Sequence, residues 1–156
     1  MEEKDMAIES YKVAPAEEMP QEEAKSPLEG FQDPIKAVLE MVPGLTRAQI
    51  DKWKATFGGV YALVLEDEVF LYRAFSRLEH KQFLNTIMES SPSKSEEEKE
   101  DLYEELVVTR CLLWPKPGGD FAPTSKGGTI PTLFSAVNYK SNFLPPQVVV
   151  SSIVTL

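Results

Sequence analysis

The sequence predicts an α+β fold: a small, mostly helical domain with a central β-hairpin, an extended N-terminal arm and a C-terminal strand. Three observations support this prediction. Apolar residues recur at helical spacing behind capping residues, two β-rich runs flank a short acidic turn, and the last ten residues are rich in β-branched side chains. We expect an acidic, proline-containing arm over residues 1–30, a folded α+β domain over residues 31–144 and an apolar tail over residues 145–156.

The N-terminal arm carries most of the negative charge of the chain. Nine of its side chains are acidic and three are lysines, which gives −6 of the formal net charge of −9. Pro15, Pro20 and Pro27 interrupt the arm, and large apolar residues are sparse. Such a segment by itself buries too little surface to offset the entropy lost on ordering. We therefore expect either a solvated tail or an extended arm that lies on a neighbouring protein.

The folded domain is predicted to begin with two short helices. Asp33 is an N-cap residue, and the proline that follows it is favoured in the first helical turn. A capping box at Thr46 to Gln49 opens the second helix, and Gly58-Gly59 ends it in the left-handed conformation that other residues resist. The apolar faces of the two helices consist of Ile35, Val38, Leu39, Val42, Ile50, Trp53 and Phe57.

The β-hairpin is predicted over residues 60–65 and 69–75, on either side of an acidic turn. Apolar residues occupy both faces of these two runs, and strands with that pattern are covered on both sides. We expect helices of this chain to cover one face and a partner protein to cover the other. The candidate interface residues of the hairpin are therefore Tyr61, Leu63, Phe70 and Tyr72.

Capping boxes also mark the second half of the domain. Ser76 to Glu79 opens one helix, and Ser95 to Glu98 opens another that has three glutamates in its first turn, where the helix dipole favours them. We expect this second helix to extend to about Leu113 and to end at Trp114-Pro115. A last short helix is predicted over residues 131–139.

The C-terminal tail is predicted to be a strand that pairs with the edge of a neighbouring sheet. It follows two prolines, and six of its last ten residues are β-branched. An added edge strand forms main-chain hydrogen bonds without requiring a particular side-chain chemistry. Val148, Val149 and Val150 are therefore candidate interface residues as well.

Patterns that support catalysis or ligand binding are missing from the sequence. The one histidine, His80, and the one cysteine, Cys111, fall in different predicted elements, which excludes a zinc site of the usual kind. The sequence also contains no EF-hand loop, phosphate-binding glycine loop or GxSxG motif. We therefore predict no catalytic residue, no cofactor and no metal. Cys111 is interpreted as a core thiol, with a reactive nucleophile as the alternative, and His80 as a surface or boundary residue.

Charge and hydropathy exclude two further classes of partner. An excess of 25 acidic over 16 basic side chains opposes binding to a phosphate backbone, so we expect no nucleic acid. The first residues lack the features of a secretory signal, and no apolar run approaches the length of about 18 residues that a membrane span needs. We therefore expect synthesis in the cytoplasm and no membrane partner.

Several short motifs occur in a fixed order in the middle and at the end of the chain. They lie in WKATFGGVYALVLEDEVFLYRAFSRLEHKQF, in LVVTRCLLWPKP and in TIPTLFSAVNYKSNF. The motifs are a Trp-Lys helix that ends in glycine, a hairpin with Tyr72-Arg73 in its second strand, a Ser-Arg-x-Glu helix start and a Cys-x-x-Trp-Pro turn. Over about residues 50–143 the chain resembles small proteins of tailed bacteriophages, the tail-assembly chaperones and baseplate-hub assembly proteins. Ser141-Asn142-Phe143 departs from the Ser-Gly-Phe of that pattern.

The resemblance implies a non-enzymatic structural or assembly protein of a phage tail, at the baseplate or hub. Its partners would be other tail or baseplate proteins, or copies of itself in a ring, without a small-molecule substrate. After synthesis in the host cytoplasm it would be part of the virion tail. The alternatives are a tail-assembly chaperone that is absent from the finished particle, a small acidic binding module that acts through the arm, and a minor enzyme that uses His80 or Cys111.

Overall fold

The computed structural model describes Leu28 and residues 32–118 and 121–155, and these residues confirm the α+β fold. The predicted arm over residues 1–30 lies outside the described residues, apart from Leu28, so its form stays a prediction. The described elements, in chain order, are α1 (Pro34–Met41), α2 (Arg47–Phe57), β1 (Tyr61–Leu65), β2 (Glu68–Tyr72), α3 (Arg77–Ser90), α4 (Glu96–Cys111), β3 (Leu112–Trp114), α5 (Phe121–Thr124), α6 (Thr129–Lys140) and α7 (Pro146–Ser151).

Side-chain caps begin the first four helices at the predicted residues. The Asp33 carboxylate accepts hydrogen bonds from two backbone N–H groups of α1, at 3.1 and 3.3 Å. Complete capping boxes begin α2, α3 and α4 at Thr46, Ser76 and Ser95. Gly58 ends α2 in the left-handed region, with a φ of 80°. These caps satisfy terminal backbone groups that have no partner within the helix, so each boundary is fixed locally.

β2 is the central strand of a three-stranded antiparallel sheet in the order β1-β2-β3. β1 and β2 form the predicted hairpin, in which Tyr61 lies opposite Tyr72. β3 was not predicted. The expected extension of α4 to Leu113 is wrong, because the helix ends at Cys111 and the next three residues pair with β2. Leu112 is only 4% exposed, so the pairing also buries an apolar side chain at the sheet.

The two faces of the sheet pack against two different sets of helices of the same chain. Alternate residues of a strand point to opposite faces. Val69 and Leu71 accordingly pack in a cluster with α1 and α2, whereas Phe70 and Tyr72 pack in clusters that contain residues of α4 and α6. The expectation that a partner protein covers one face is therefore wrong. Helices of the chain itself cover both.

The C-terminal tail is a helix rather than the predicted strand. Residues 146–151 form α7, in which Val149 N–H donates to the Pro145 carbonyl (3.1 Å) and Ser152 N–H donates to the Val148 carbonyl (3.1 Å). Pro146 is at the first helical position, where its fixed φ and missing N–H favour a helix. A helix satisfies its backbone within the segment, whereas a lone strand needs a neighbouring edge. The β-branched composition therefore did not decide the structure here.

Arg73, which directly follows β2, connects three helices. Its guanidinium donates to both oxygens of the Glu79 carboxylate, at 2.9 and 3.2 Å, at the beginning of α3. It also donates to the Arg110 carbonyl at the end of α4 (3.2 Å) and lies 4.7 Å from the centre of the Phe57 ring in α2. The Arg73 side chain is 13% exposed, so solvent screens these contacts less than it would on an open surface. One side chain thus fixes the ends of α2, α3 and α4 against the sheet.

The ion pair gives Glu79 a pH-dependent role in stability. Burial raises the pKa of Glu79, but hydrogen bonds from Arg73 and from the Ser76 backbone outweigh that effect, so the pKa lies below its usual value of 4.5. A carboxyl whose pKa is lowered by folding stabilises the folded state above its unfolded pKa. The stabilisation is lost as the pH falls through the folded pKa. The contribution of this pair is therefore complete at neutral pH and decreases in acid.

We predict that Arg73→Ala lowers the free energy of unfolding at pH 7 by about 2 kcal/mol, because it leaves the partly buried Glu79 carboxylate and the Arg110 carbonyl without this donor. Arg47→Ala is the matched control. Its ion pair with Asp33 is exposed, and we expect a loss below about 1 kcal/mol. Urea denaturation at pH 7 and pH 3 provides the measurement. The difference between wild type and Arg73→Ala should shrink at pH 3, and an equal difference at both values would contradict the proposed role of Glu79.

Candidate interaction surfaces

Cys111 is a core residue of the folded chain. It has no exposed surface and packs in a cluster that includes Tyr72, Phe75, Val107 and Val137. Burial raises the pKa of the Cys111 thiol to about 12, an effect that Arg73 opposes only in part. At neutral pH the thiol is therefore protonated and enclosed by apolar side chains, and a protonated thiol is a poor nucleophile. The structure thus places Cys111 where the interpretation as a core thiol puts it.

His80 lies on α3 in a partly buried group of aromatic residues. Its Nδ1 atom is 2.7 Å from the hydroxyl of Tyr103 on α4, within hydrogen-bonding distance. Its ring also lies 5.1 Å from the ring of Phe143 and 6.1 Å from that of Phe75, between ring centres. The hydrogen bond joins α3 to α4. The ring contact with Phe143 packs the turn after α6 against the same histidine. These contacts give His80 a structural role at a boundary between helices.

A cavity of about 590 Å³ lies beside β2, and its lining includes neither His80 nor Cys111. It is formed by the end of α1, by β2 and by α5 with the residues that follow it. Its charged lining residues are Glu68 and Lys126. Lys126 forms an ion pair with Glu66, which lies in the turn between β1 and β2. In the part of the chain that the structure describes, no group of three or more His, Cys, Asp and Glu side chains is placed to hold a metal ion.

The structure separates the predicted interface residues of the hairpin into two groups. Phe70 and Tyr72 are 3% and 5% exposed, so the expectation that they contact a partner is wrong for the folded chain. They are buried because they face α4 and α6. Tyr61 and Leu63 are half-buried, since β1 lies at an edge of the described sheet. Tyr61 packs on the Tyr72 ring at 5.7 Å and lies under the Lys140 ammonium at 4.8 Å.

The predicted interface residues of the tail are largely exposed, although the tail is helical. No side chain of α7 is buried, and Val148 is half-buried. The apolar residues of this segment that are most exposed are Val149 (43%), Val150 (69%), Ile153 (68%) and Val154 (77%). Residues 141–156 contain no charged side chain. We name residues 146–154 the C-terminal apolar segment.

A second apolar surface lies between α3 and α4. Its apolar lining comes from Leu84, Ile87 and Met88 on α3, Tyr103 on α4 and Phe134 on α6, around a cavity of about 490 Å³. Leu84 and Met88 are 42% and 68% exposed, whereas Ile87 is buried. The charged residues at its rim all belong to α4: Glu96, Lys99, Glu100 and Glu104. We name this surface the α3–α4 groove.

The α3–α4 groove was missed as a site by reasoning from the sequence. Leu84 and Met88 lie beside Phe83 and Ile87 in the sequence of the helix that Ser76 opens, where a single apolar face would be expected. Only Phe83 and Ile87 are buried. Four apolar residues over two turns fit an ordinary packed face, so no signal in the sequence indicates that Leu84 and Met88 stay exposed.

The chain matches no family model, no curated protein and no solved structure. Over the described residues, none of the helices combines the length and the apolar character that crossing a membrane requires.

We predict that Cys111 does not react with a thiol reagent in the folded protein. With a pKa of about 12, roughly one thiol in ten thousand is ionised at pH 8, and the sulfur has no exposed surface. A chromogenic disulfide reagent should therefore label Cys111 only after guanidinium is added. Ser151→Cys provides the positive control, because that position is exposed and should react at once. Rapid labelling of the wild-type protein without denaturant would revive the nucleophile interpretation.

Proposed function

We propose that this protein is a non-enzymatic assembly component that acts through protein–protein interfaces, and that the C-terminal apolar segment is its main contact. One observation carries the proposal. Four large apolar side chains in this segment remain between 43% and 77% exposed, whereas both faces of the sheet are covered. Contiguous exposed apolar surface of this kind is typical of an interaction site.

The chemistry of the segment supports a protein partner. Full burial of a Val or Ile side chain contributes about 1.5–3 kcal/mol, so four such residues supply several kcal/mol towards the cost of association. Val149, Val150, Ile153 and Val154 lie at spacings that share one face of a helix, provided that α7 continues past Ser151 on binding. The segment has no charged side chain to desolvate when that face is buried.

The setting that we propose is the tail of a tailed bacteriophage, at the baseplate or hub. The support is the resemblance of residues 50–143 to small proteins of phage tail clusters, together with the exposed apolar segment. The partners would be other tail proteins or further copies of this chain, and the protein would be part of the virion. A tail-assembly chaperone that leaves before the particle is complete is the second candidate, and the same exposed segment favours it.

Quantitative mass spectrometry of purified virions tests this proposal. The phage would carry the wild-type gene, the double variant Val150→Asp/Ile153→Asp, or the control Gln147→Asp/Thr155→Asp. The control adds the same charge at two exposed polar positions, one within the C-terminal apolar segment and one directly after it. We expect the wild-type and control proteins in the particle at equal copy number. The double variant should be reduced at least about tenfold, because a carboxylate buried in an apolar contact is costly.

Two other outcomes would count against the proposal. Wild-type protein that is present in infected cells but missing from virions would favour the chaperone. Equal incorporation of all three proteins would show that the C-terminal apolar segment is not the contact.

A further inference from the structure

We propose that the α3–α4 groove binds a basic amphipathic helix of a partner protein. The inference rests on the proposed function for its assignment of a protein partner, but it concerns a different surface from the C-terminal apolar segment. The apolar residues at the floor of the groove and the charged residues at its rim together define the chemistry of the partner.

The floor of the groove supplies an apolar contact of helical dimensions. Leu84, Ile87 and Met88 lie on successive turns of α3, and Tyr103 and Phe134 continue the apolar surface across to α4 and α6. Tyr103 and Phe134 pack edge to face, with ring centres 5.8 Å apart, so that side of the floor is held in place. Met88 is the most exposed member, and the flexible methionine side chain adapts to different apolar partners. A cavity of about 490 Å³ accommodates several apolar side chains of a docked helix.

The rim of the groove supplies the charge that selects the partner. Glu96, Glu100 and Glu104 recur every four residues, so they form one stripe along α4 beside the apolar floor. The single cation of the rim, Lys99, already pairs with Glu96 at 3.1 Å. Burial, and then the neighbouring charges of Asp101 and Glu100, raise the pKa of Glu104. A cation of the partner near this stripe would relieve the repulsion between the neighbouring carboxylates. The acidic stripe selects the charge of the partner, and the apolar floor provides the contact area.

Charge also decides between this partner and a second copy of the chain. The C-terminal apolar segment of another copy is apolar enough to enter the groove, but residues 141–156 offer no cation to the rim. The chain as a whole carries a net charge of −9, so two copies repel each other at long range. A helix with leucines on one face and lysines or arginines on the other satisfies both the floor and the rim.

Fluorescence anisotropy with a labelled peptide tests the inference on the full chain. The probe is a helical peptide of leucines and lysines with one apolar and one basic face. We expect saturable binding that weakens as salt increases. Met88→Asp should weaken binding at least about tenfold, since a carboxylate would replace an apolar contact. Leu78→Asp is the matched control, because Leu78 is also on α3 and similarly exposed but lies outside the groove. The affinity of this variant for the peptide should stay within about twofold of wild type.

A second pair of variants tests the role of the rim. Glu100→Gln/Glu104→Gln should weaken binding and reduce its salt dependence, whereas Glu40→Gln, on the exposed surface of α1, should change neither by more than about twofold. Circular dichroism of each variant verifies the fold. The variants are compared with the Leu78→Asp and Glu40→Gln proteins in the same buffer.

Three results would overturn the inference. The first is an absence of binding by the wild-type protein. The second is equal binding by Met88→Asp and Leu78→Asp, which would show charge attraction without a groove. The third is tighter, Met88-dependent binding of a neutral peptide with residues 145–156 of this chain, which would identify a second copy as the occupant. None of these results bears on incorporation into virions, so the failure of this inference and that of the proposed function are distinguishable.

Discussion

The position of Arg73 determines how the helices are placed around the sheet. The chain leaves β2 at this residue and begins α3 within four residues, so the direction of α3 depends on what holds that short connection. The guanidinium holds it by two bonds to Glu79, one to the Ala74 carbonyl and one to the Arg110 carbonyl. Its planar fork bonds to both carboxylate oxygens at once, which a lysine ammonium does not do. The Arg110 carbonyl lies in the last turn of α4, where carbonyl groups lack helical partners.

This arrangement has a consequence for the surface of the molecule. The α3–α4 groove lies between two helices that the contacts of Arg73 and the His80–Tyr103 contact hold together. The central strand offers little to a partner, since residues 69–72 of β2 are buried, whereas the edge strand β1 is half-buried. The most exposed apolar surfaces lie at the outside of the helices and in the C-terminal apolar segment.

Local chemistry explains which parts of the fold could be predicted from the sequence. The helix starts at Asp33, Thr46, Ser76 and Ser95 each depend on residues within three positions, and the hairpin depends on two β-rich runs and a short turn. β3 could not be predicted in this way. Leu112 to Trp114 continue the apolar pattern of α4, and only pairing with β2 makes them a strand.

The same distinction applies to the candidate surfaces. The prediction of a strand for the tail is wrong, because the propensity for strands was given more weight than the prolines that begin α7, and its contact with a partner stays a prediction. The sequence does not say how many helices pack on the sheet. The burial of Phe70 and Tyr72 against helices of the same chain could therefore not be predicted. The groove depends on side chains from three helices, so no single segment of the sequence contains it.

The described core forms without any side chain of α7, which leaves residues 146–154 available to a partner. Hydrogen exchange of the dilute protein distinguishes this arrangement from one in which the segment packs on its own chain. A six-residue helix without buried side chains is marginal in water, so its amides should exchange at least about a thousandfold faster than those of β2 and the second half of α4. Those core amides should exchange only through global unfolding. Equal protection of the C-terminal amides and the core would mean that the segment packs on its own chain, which would contradict the account.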